Sequence, residues 1–547
     1  MVMAEYLRQL FEKGQFQEIL DQVALLEEKG KLTILSLAEQ VEILYYKSRA
    51  LEGLGQYEDA LQVVMLSHEK LTSSEENGRK IVLLVARLYA LIGLGQLEDC
   101  LAGIKEGDAI LKSLSAVEHE EMVEMVALFY NVKGIIYRHK GKLDEALINY
   151  KHGLKLQEAL ENQYQVAISL SNMGNIYLLK GELDTALEYH QRSLALKEQV
   201  GNPKGIAMSL NNIGAVHHAE GKLDEALECW KNATVLWEEV GNPLALGMTL
   251  NNIGEIYRIK GELDTALEYH QRSLALKEQV GNKQDIATSL SNIGAIHHVR
   301  GELLTARDYM LHGLTIYESI ENNLDTSFIL FSLILVVLDQ GDLEQARKFA
   351  AELLKLQEQT PEKVIFLRQR LADALILKQS KRVEDRIRAR VLLDEIVNEE
   401  SIQFELDAHA MIHLCDLLLF RIKPQDQSEG LKKVVKLTKR LYTRAKQQQS
   451  FPLAIKTLFL RAKLAVVEGK FQKGLYYLKQ AKTIAEEKGL GLLIQDTVKE
   501  QELLLEEYDK WKEIILQKNP IQTWLEQANV EEYLKEVMQM IKALKKR

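Results

Sequence analysis

Proline is scarce in this sequence, with six residues in 547, and cysteine is scarcer, with three. Few prolines leave long stretches free to run as uninterrupted helix. With aromatic residues at 7%, the composition favours helix over a β-sandwich. Cys100, Cys229 and Cys415 stand far apart and form no CxxC pair. A disulfide framework is therefore not expected, and a reducing cytoplasm fits best. Long apolar runs are also missing. The longest, "FILFSLILVVL" from Phe328 to Leu338, is too short to span a bilayer and is interrupted by Ser332. At the start of the chain, "MVMAEYLRQLFEKG" places Glu5 and Arg8 where a signal peptide needs an apolar core. Neither secretion nor a transmembrane segment is indicated. There is no excess of positive charge: 69 Lys and Arg face 79 Asp and Glu, a formal charge of −10. That balance argues against a dedicated nucleic-acid binder.

Catalytic and cofactor signatures are missing too. No GxxxxGK[ST] loop, GxGxxG turn, HExxH helix or GxSxG elbow occurs. The nearest approach to a metal constellation is "HAMIHLCD". His409 and His413 share a helix face there with Asp416 nearby, but Cys415 is rotated off it. No enzyme activity, cofactor or metal is expected.

What is abundant is repetition. "GKLDEAL" begins at Gly141, "GELDTAL" at Gly181, "GKLDEAL" at Gly221, "GELDTAL" at Gly261, "GELLTAR" at Gly301 and "GDLEQAR" at Gly341, a step of 40 residues each time. Related segments start at Gly14, Gly55 and Gly95, and again at Gly469. Residues 181–202 and 261–282 are identical, which points to a recent duplication of two units. Each unit reads as two helices. Leu250, Ile253, Gly254 and Tyr257 fall on one arc of the first; Leu263, Ala266, Leu267, His270 and Leu274 line one face of the second. Gly261 stands between them as a turn, and Gly254 and Ala266 are small enough to let the two backbones approach. "GN" closes a unit and opens the next. His190 and His270 sit inward on the second helix and read as satisfied core histidines. His217 and His297 occupy the place of Tyr177 and Tyr257 and read as packing residues.

The pattern L-x-x-I-G-x-x-Y-x-x-x-G-x-L-D-x-A resembles the tetratricopeptide repeat. Its 40-residue version with asparagine pairs is similar to the repeats of kinesin light chains and of Pins-type spindle-orientation adaptors. The resemblance is close over 121–350, good over 1–120 and faint over 351–547. It implies an all-α, right-handed superhelical solenoid of about twelve hairpins, with the first helix of each hairpin lining a concave groove. The regions expected are N-terminal hairpins over 1–120, the regular array over 121–350, degenerate hairpins over 351–489, and capping and amphipathic helices over 490–547.

The groove expectation rests on repeated polar residues inside helices. Asn costs a helix roughly 0.6 kcal/mol relative to Ala, yet "LSNMG", "LNNIG", "LNNIG" and "LSNIG" recur at Leu170, Leu210, Leu250 and Leu290. On a helical wheel with Leu250 at zero, Asn251 lies near about 100° and Asn252 near about 200°, both away from the packing face. The expected ladder is Asn131, Ser171, Asn172, Asn211, Asn212, Asn251, Asn252, Ser291 and Asn292. Asn175 and Glu255 lie one turn further along. An amide carries a donor and an acceptor and can pair with both halves of a peptide bond; in the similar adaptors such asparagines grip peptide main chain. The alternative is that they bond between neighbouring repeats and stiffen the array. In the following unit the asparagine positions become Phe331 and Ser332, and Phe328, Leu335 and Leu338 share their side. These form an expected apolar wall for a hydrophobic anchor of the ligand, unless the second half of the array covers it.

Arg138, His218, Arg258 and His298 are placed near the groove edge. A further basic stretch holds Arg421, Lys423, Lys432, Lys433, Lys436, Lys439, Arg440, Arg444 and Lys446, and reads first as a solvated helix face. The combined expectation is a non-catalytic cytoplasmic scaffold or adaptor that holds an extended peptide segment of another protein, with nucleic acid an improbable partner and oligomeric state open. A peptide-sensing regulator, or a substrate-delivery subunit of a larger complex, is the alternative.

Overall fold

A computed structural model describes residues 2–68, 77–114, 121–399, 404–419, 427–467 and 470–516. Among the described residues there are 25 α-helices, one 3-10 turn (Leu32–Ile34) and no strand. The expected final amphipathic pair over 521–547, and Arg421 and Lys423 of the basic stretch, lie outside them. No described helix is long and apolar enough to cross a membrane. The chain packs as two compact units, Met1–Asn242 and Pro243–Arg547. The fourfold division read from the sequence marks how regular the repeat is, whereas these two units mark how it packs.

In the first unit the helices pair as hairpins: α1 (Val2–Glu12) with α2 (Phe16–Glu28), α3 (Leu37–Gly53) with α4 (Tyr57–His68), and α5 (Asn77–Gly93) with α6 (Leu97–Ser113). The 40-residue repeats follow: α7 (Val123–His139) with α8 (Leu143–Ala159), α9 (Gln163–Leu179) with α10 (Leu183–Val200), and α11 (Pro203–Glu220) with α12 (Leu223–Val240). Helices of the beginning and end of this unit meet. Arg8 pairs with Glu124 at 3.4 Å, Asn202 Nδ2 donates to the Glu12 carbonyl at 2.7 Å, and the Lys204 ammonium lies 4.3 Å from the Phe16 ring centre.

The second unit continues with α13 (Pro243–Ile259), α14 (Leu263–Val280), α15 (Lys283–Arg300), α16 (Leu303–Ser319), α17 (Asn323–Asp339) and α18 (Leu343–Gln359). The less regular hairpins are α19 (Lys363–Lys378) with α20 (Val383–Asn398), α21 (Phe404–Leu419) with α22 (Gln427–Gln447), and α23 (Phe451–Val467) with α24 (Phe471–Glu487), closed by α25 (Gly491–Leu516). Here too the ends meet: Leu263, Ala266 and Ile296 share a core with Ile455, Phe471, Leu490 and Leu493.

Five of the 40-residue hairpins are held by a large residue seated on a glycine. Tyr150, His190, Trp230, His270 and Met310 press on Gly134, Gly174, Gly214, Gly254 and Gly294; a Cβ built on Gly254 would stand 2.8 Å from His270 Nε2. Gly254 is expected to be small so that the two backbones can approach; the space at its Cα is instead filled by the His270 ring, and any side chain there would overpack. The face read from the sequence holds: Leu250, Ile253, Leu263, Ala266 and His270 are all buried. His297 also behaves as expected. His297 stacks on Tyr309 at 5.4 Å just as Tyr257 stacks on Tyr269 at 5.5 Å.

Turns between repeats use left-handed backbone. Gly201 (φ 68°), Gly241 (φ 68°) and Gly281 (φ 80°) supply it, and Asn202 and Asn282 then cap the next helix. Two repeats lack the glycine, so Glu161 (φ 51°) and Glu321 (φ 53°) adopt the same conformation. An L-residue there is strained by about 1 kcal/mol. Glu161→Gly and Glu321→Gly are expected to raise unfolding free energy by roughly that amount each in chemical denaturation; an unchanged or lower midpoint would contradict the strain.

Candidate functional site

Within each asparagine pair the two members have separate fates. The first member turns inward. Ser171 and Ser291 are buried, and Asn251 Oδ1 lies 3.2 Å from His270 Nδ1 on the second helix of its own hairpin. Asn131, which occupies the same position one repeat earlier, is buried as well, with its Oδ1 2.9 Å from the Ser169 hydroxyl. The expectation that both members point away from the partner helix is corrected. At about 100° from the packing face the first member still lies under the neighbouring helices, while the second, at about 200°, clears them.

The second members are half-buried: Asn172, Asn212, Asn252 and Asn292. Two of them bond to the preceding repeat. In the first unit Asn212 Nδ2 donates to Ser171 Oγ at 3.1 Å. In the second, Asn292 Nδ2 donates to Asn251 Oδ1 at 2.9 Å, so His270, Asn251 and Asn292 form one chain. Part of the ladder is thus a set of ties between repeats. Asn172 and Asn252, together with Asn175, are different: among the described residues their amides have no hydrogen-bond partner. Asn211 is half-buried, its backbone carbonyl accepting from Trp230 Nε1 at 3.1 Å. Glu255 is held by Arg258 through two bonds, at 2.6 and 2.8 Å, and His298 reaches Asp339 at 2.7 Å.

Beneath the inner face lie buried ionisable groups. Burial pushes His190 and His270 down to about 4. His270 has Asn251 as a partner, but neither ring nitrogen of His190 has one, so that histidine is core without being satisfied. Lys197 and Lys277, at the same place in the duplicated helix, are buried with Nζ 3.0 Å from Ser209 Oγ and Ser289 Oγ. Burial pulls Lys197 down to about 8.

The expected apolar wall is core. Phe331 is 5% exposed and meets His409 of α21 edge-on at 6.3 Å. Phe328 is half-buried beneath the Arg368 guanidinium at 5.4 Å. Leu335 and Leu338 pack on the same cluster. The wall is closed by α19 and α21, which the faint second half of the repeat pattern contributes. The "HAMIHLCD" donors are likewise engaged elsewhere. Lys378 Nζ reaches His413 Nδ1 at 2.9 Å and Asp416 at 2.8 Å, and Lys463 reaches Asp416 at 2.9 Å.

A family model of the MalT-like TPR region matches residues 205–497, more than half of the sequence. The chain belongs to the MalT-like TPR family. A second tetratricopeptide-repeat model matches residues 124–199. Among solved structures, a putative kinesin light chain with nearly identical TPR-like repeats from Podosopora anserina is 13% identical. It covers 35% of this chain and 95% of its own, with TM-score 0.31. A Rap protein complexed with Competence and Sporulation Factor is 13% identical and covers 80% and 99%, with TM-score 0.41. The apo form of the quorum sensor NprR from B. thuringiensis is 13% identical and covers 82% and 99%, with TM-score 0.42. No curated protein sequence matches the chain.

Two residues of this MalT-like TPR chain escape a reading based on polar pairs. Met208 and Met248 stand four residues before Asn212 and Asn252 and are 47% and 50% exposed. That offset puts them on the same helix face as the second-member asparagines. The signal was present in the spacing, but an apolar residue on a helix reads first as core. Leu179, 62% exposed, follows Asn175 by four residues in the same way.

Proposed function

We propose that this MalT-like TPR chain is a non-catalytic protein-interaction module in the cytoplasm, and that the inner faces of its first helices hold an extended peptide segment of a partner. The observation that carries this reading is the set of amides left without partners, Asn172 and Asn175 in one unit and Asn252 in the other. Asn252 and Asn175 each lie four residues from an exposed apolar side chain, Met248 and Leu179. Amides grip peptide main chain whatever its sequence. The flexible side chains of Met208 and Met248 adapt to varied apolar residues. Asn212 and Asn292 are already tied to neighbouring repeats, so they hold the spacing of the face and contribute their remaining oxygen as an acceptor.

The test is selection of displayed random peptides on the wild-type chain. The selected peptides are then titrated against Asn172→Ala/Asn175→Ala and Asn252→Ala variants, with circular dichroism as a control. Two lost hydrogen bonds at about 1 kcal/mol each weaken binding roughly tenfold or more, at unchanged helicity. Equal affinity of every selected peptide for all variants would remove the amides from the binding surface.

A further inference from the structure

A separate surface lies on helix α22. The chain as a whole carries −10, yet between Gln427 and Gln447 seven basic residues face a single acid, Glu429. Its core side is Val434, Leu437, Leu441 and Ala445, all buried. Directly opposite run Lys432, Lys436, Lys439 and Lys446, all exposed. The other cations of the helix are occupied: Lys433 pairs with Asp394, and Arg440 and Arg444 pair with the buried Asp407 at 3.6 and 3.5 Å. The four lysines of the outer stripe make no ion pair among the described residues. Flanking them on one side are Val435 and Tyr442, 48% and 43% exposed, with the Arg461 guanidinium 3.9 Å from the Tyr442 ring centre.

The spacing carries more than the charge. Lys432, Lys439 and Lys446 are seven apart, and so are Val435 and Tyr442. A heptad-spaced apolar pair beside a heptad-spaced charged row is the arrangement by which one helix receives another lengthwise: apolar residues meet at the seam and charges at its flank set the partner. At 1.5 Å rise per residue, the stripe from 432 to 446 is about 21 Å long, two heptads of a partner helix. Phosphate is usually taken by the planar fork of arginine. Here both arginines are turned toward Asp407, and the free groups are lysine point charges beside apolar side chains.

We propose that the outer face of α22 docks an acidic amphipathic helix of a partner protein, with Leu-type residues against Val435 and Tyr442 and carboxylates along Lys432, Lys439 and Lys446. This surface is independent of the inner-face amides.

The test uses the full chain and a fluorescein-labelled synthetic peptide of three heptads, leucine at the seam and glutamate on the flank, followed by anisotropy. The wild-type chain should bind it, more tightly as salt is lowered. Lys432→Glu/Lys439→Glu/Lys446→Glu should lose at least tenfold in affinity. Val435→Ser/Tyr442→Ser, which leaves the charge intact, should lose several-fold. Asn172→Ala/Asn252→Ala should bind as wild type does. All variants are exposed or half-buried substitutions whose helicity is checked in parallel. Oligodeoxythymidylate and phosphatidylserine vesicles run as competing probes. Tighter binding of either, no binding of the peptide, or indifference to the charge reversal or to the serine pair would overturn the proposal.

Discussion

Lowering the pH from 7 to 4 is expected to cost the folded chain about 3 kcal/mol at each of His190 and His270. Both rings are fully buried, and both are held near 4, chiefly by burial, against an ordinary value of 6.5. Between those values an unfolded histidine is protonated and the folded one is not. The unfolded chain therefore binds more protons across this window, so stability rises with pH and is lost as the pH falls from 6.5 through 4. Met310 shows how to remove the effect, since it fills the corresponding seat on Gly294 without a titrating group. A His190→Met/His270→Met variant should melt at a temperature that varies much less between pH 6.5 and 4 than wild type does. Parallel melting curves for the two proteins in that range would mean the acid response comes from other groups, carboxylates or the buried His409. The two histidines differ in one respect. His270 keeps its Nδ1–H bond to Asn251 Oδ1 when Nε2 is protonated, whereas neither ring nitrogen of His190 has a partner.

Phe331→Asp should destabilise the second unit by about 5 kcal/mol or more. Removing a buried phenylalanine alone costs about 3–5 kcal/mol, and a carboxylate placed in this apolar cluster against His409 adds a desolvation penalty. Phe331→Leu, which keeps most of the apolar contact, should cost about 1–2 kcal/mol. Denaturant unfolding monitored by circular dichroism separates the two. A Phe331→Asp chain as stable as wild type, but impaired in binding the selected peptides, would restore the open apolar wall expected from the sequence.

The hairpins, their turns and the inward face of His270 were legible from the repeat, because those features lie within one unit and recur along the chain; that its ring sits on Gly254 was not read from the sequence. The fate of Phe331 was not. Its cover comes from α21, whose residues lie far along the chain in segments where the pattern fades, and no periodicity within α17 encodes that neighbour. The splitting of the asparagine pairs was half-legible. A helical wheel separates Asn251 from Asn252 by one residue's rotation, but only the adjoining helices decide which angle is covered. Met208 and Met248 were visible at their offset and were passed over because methionine is ambiguous between core and surface. The stripe on α22 was visible as charge; its seam became apparent only once Val434, Leu437 and Leu441 were found on the opposite side.

The buried lysines of the duplicated helix give the chain an internal clock. A lysine amine reacts with acylating reagents only when it is both deprotonated and reachable, and Lys197 and Lys277 are sealed beneath the repeats. Each is labelled only when its own hairpin opens. Because residues 181–202 and 261–282 are identical in sequence, the ratio of their labelling rates compares how often the two units breathe, with the helix itself held constant.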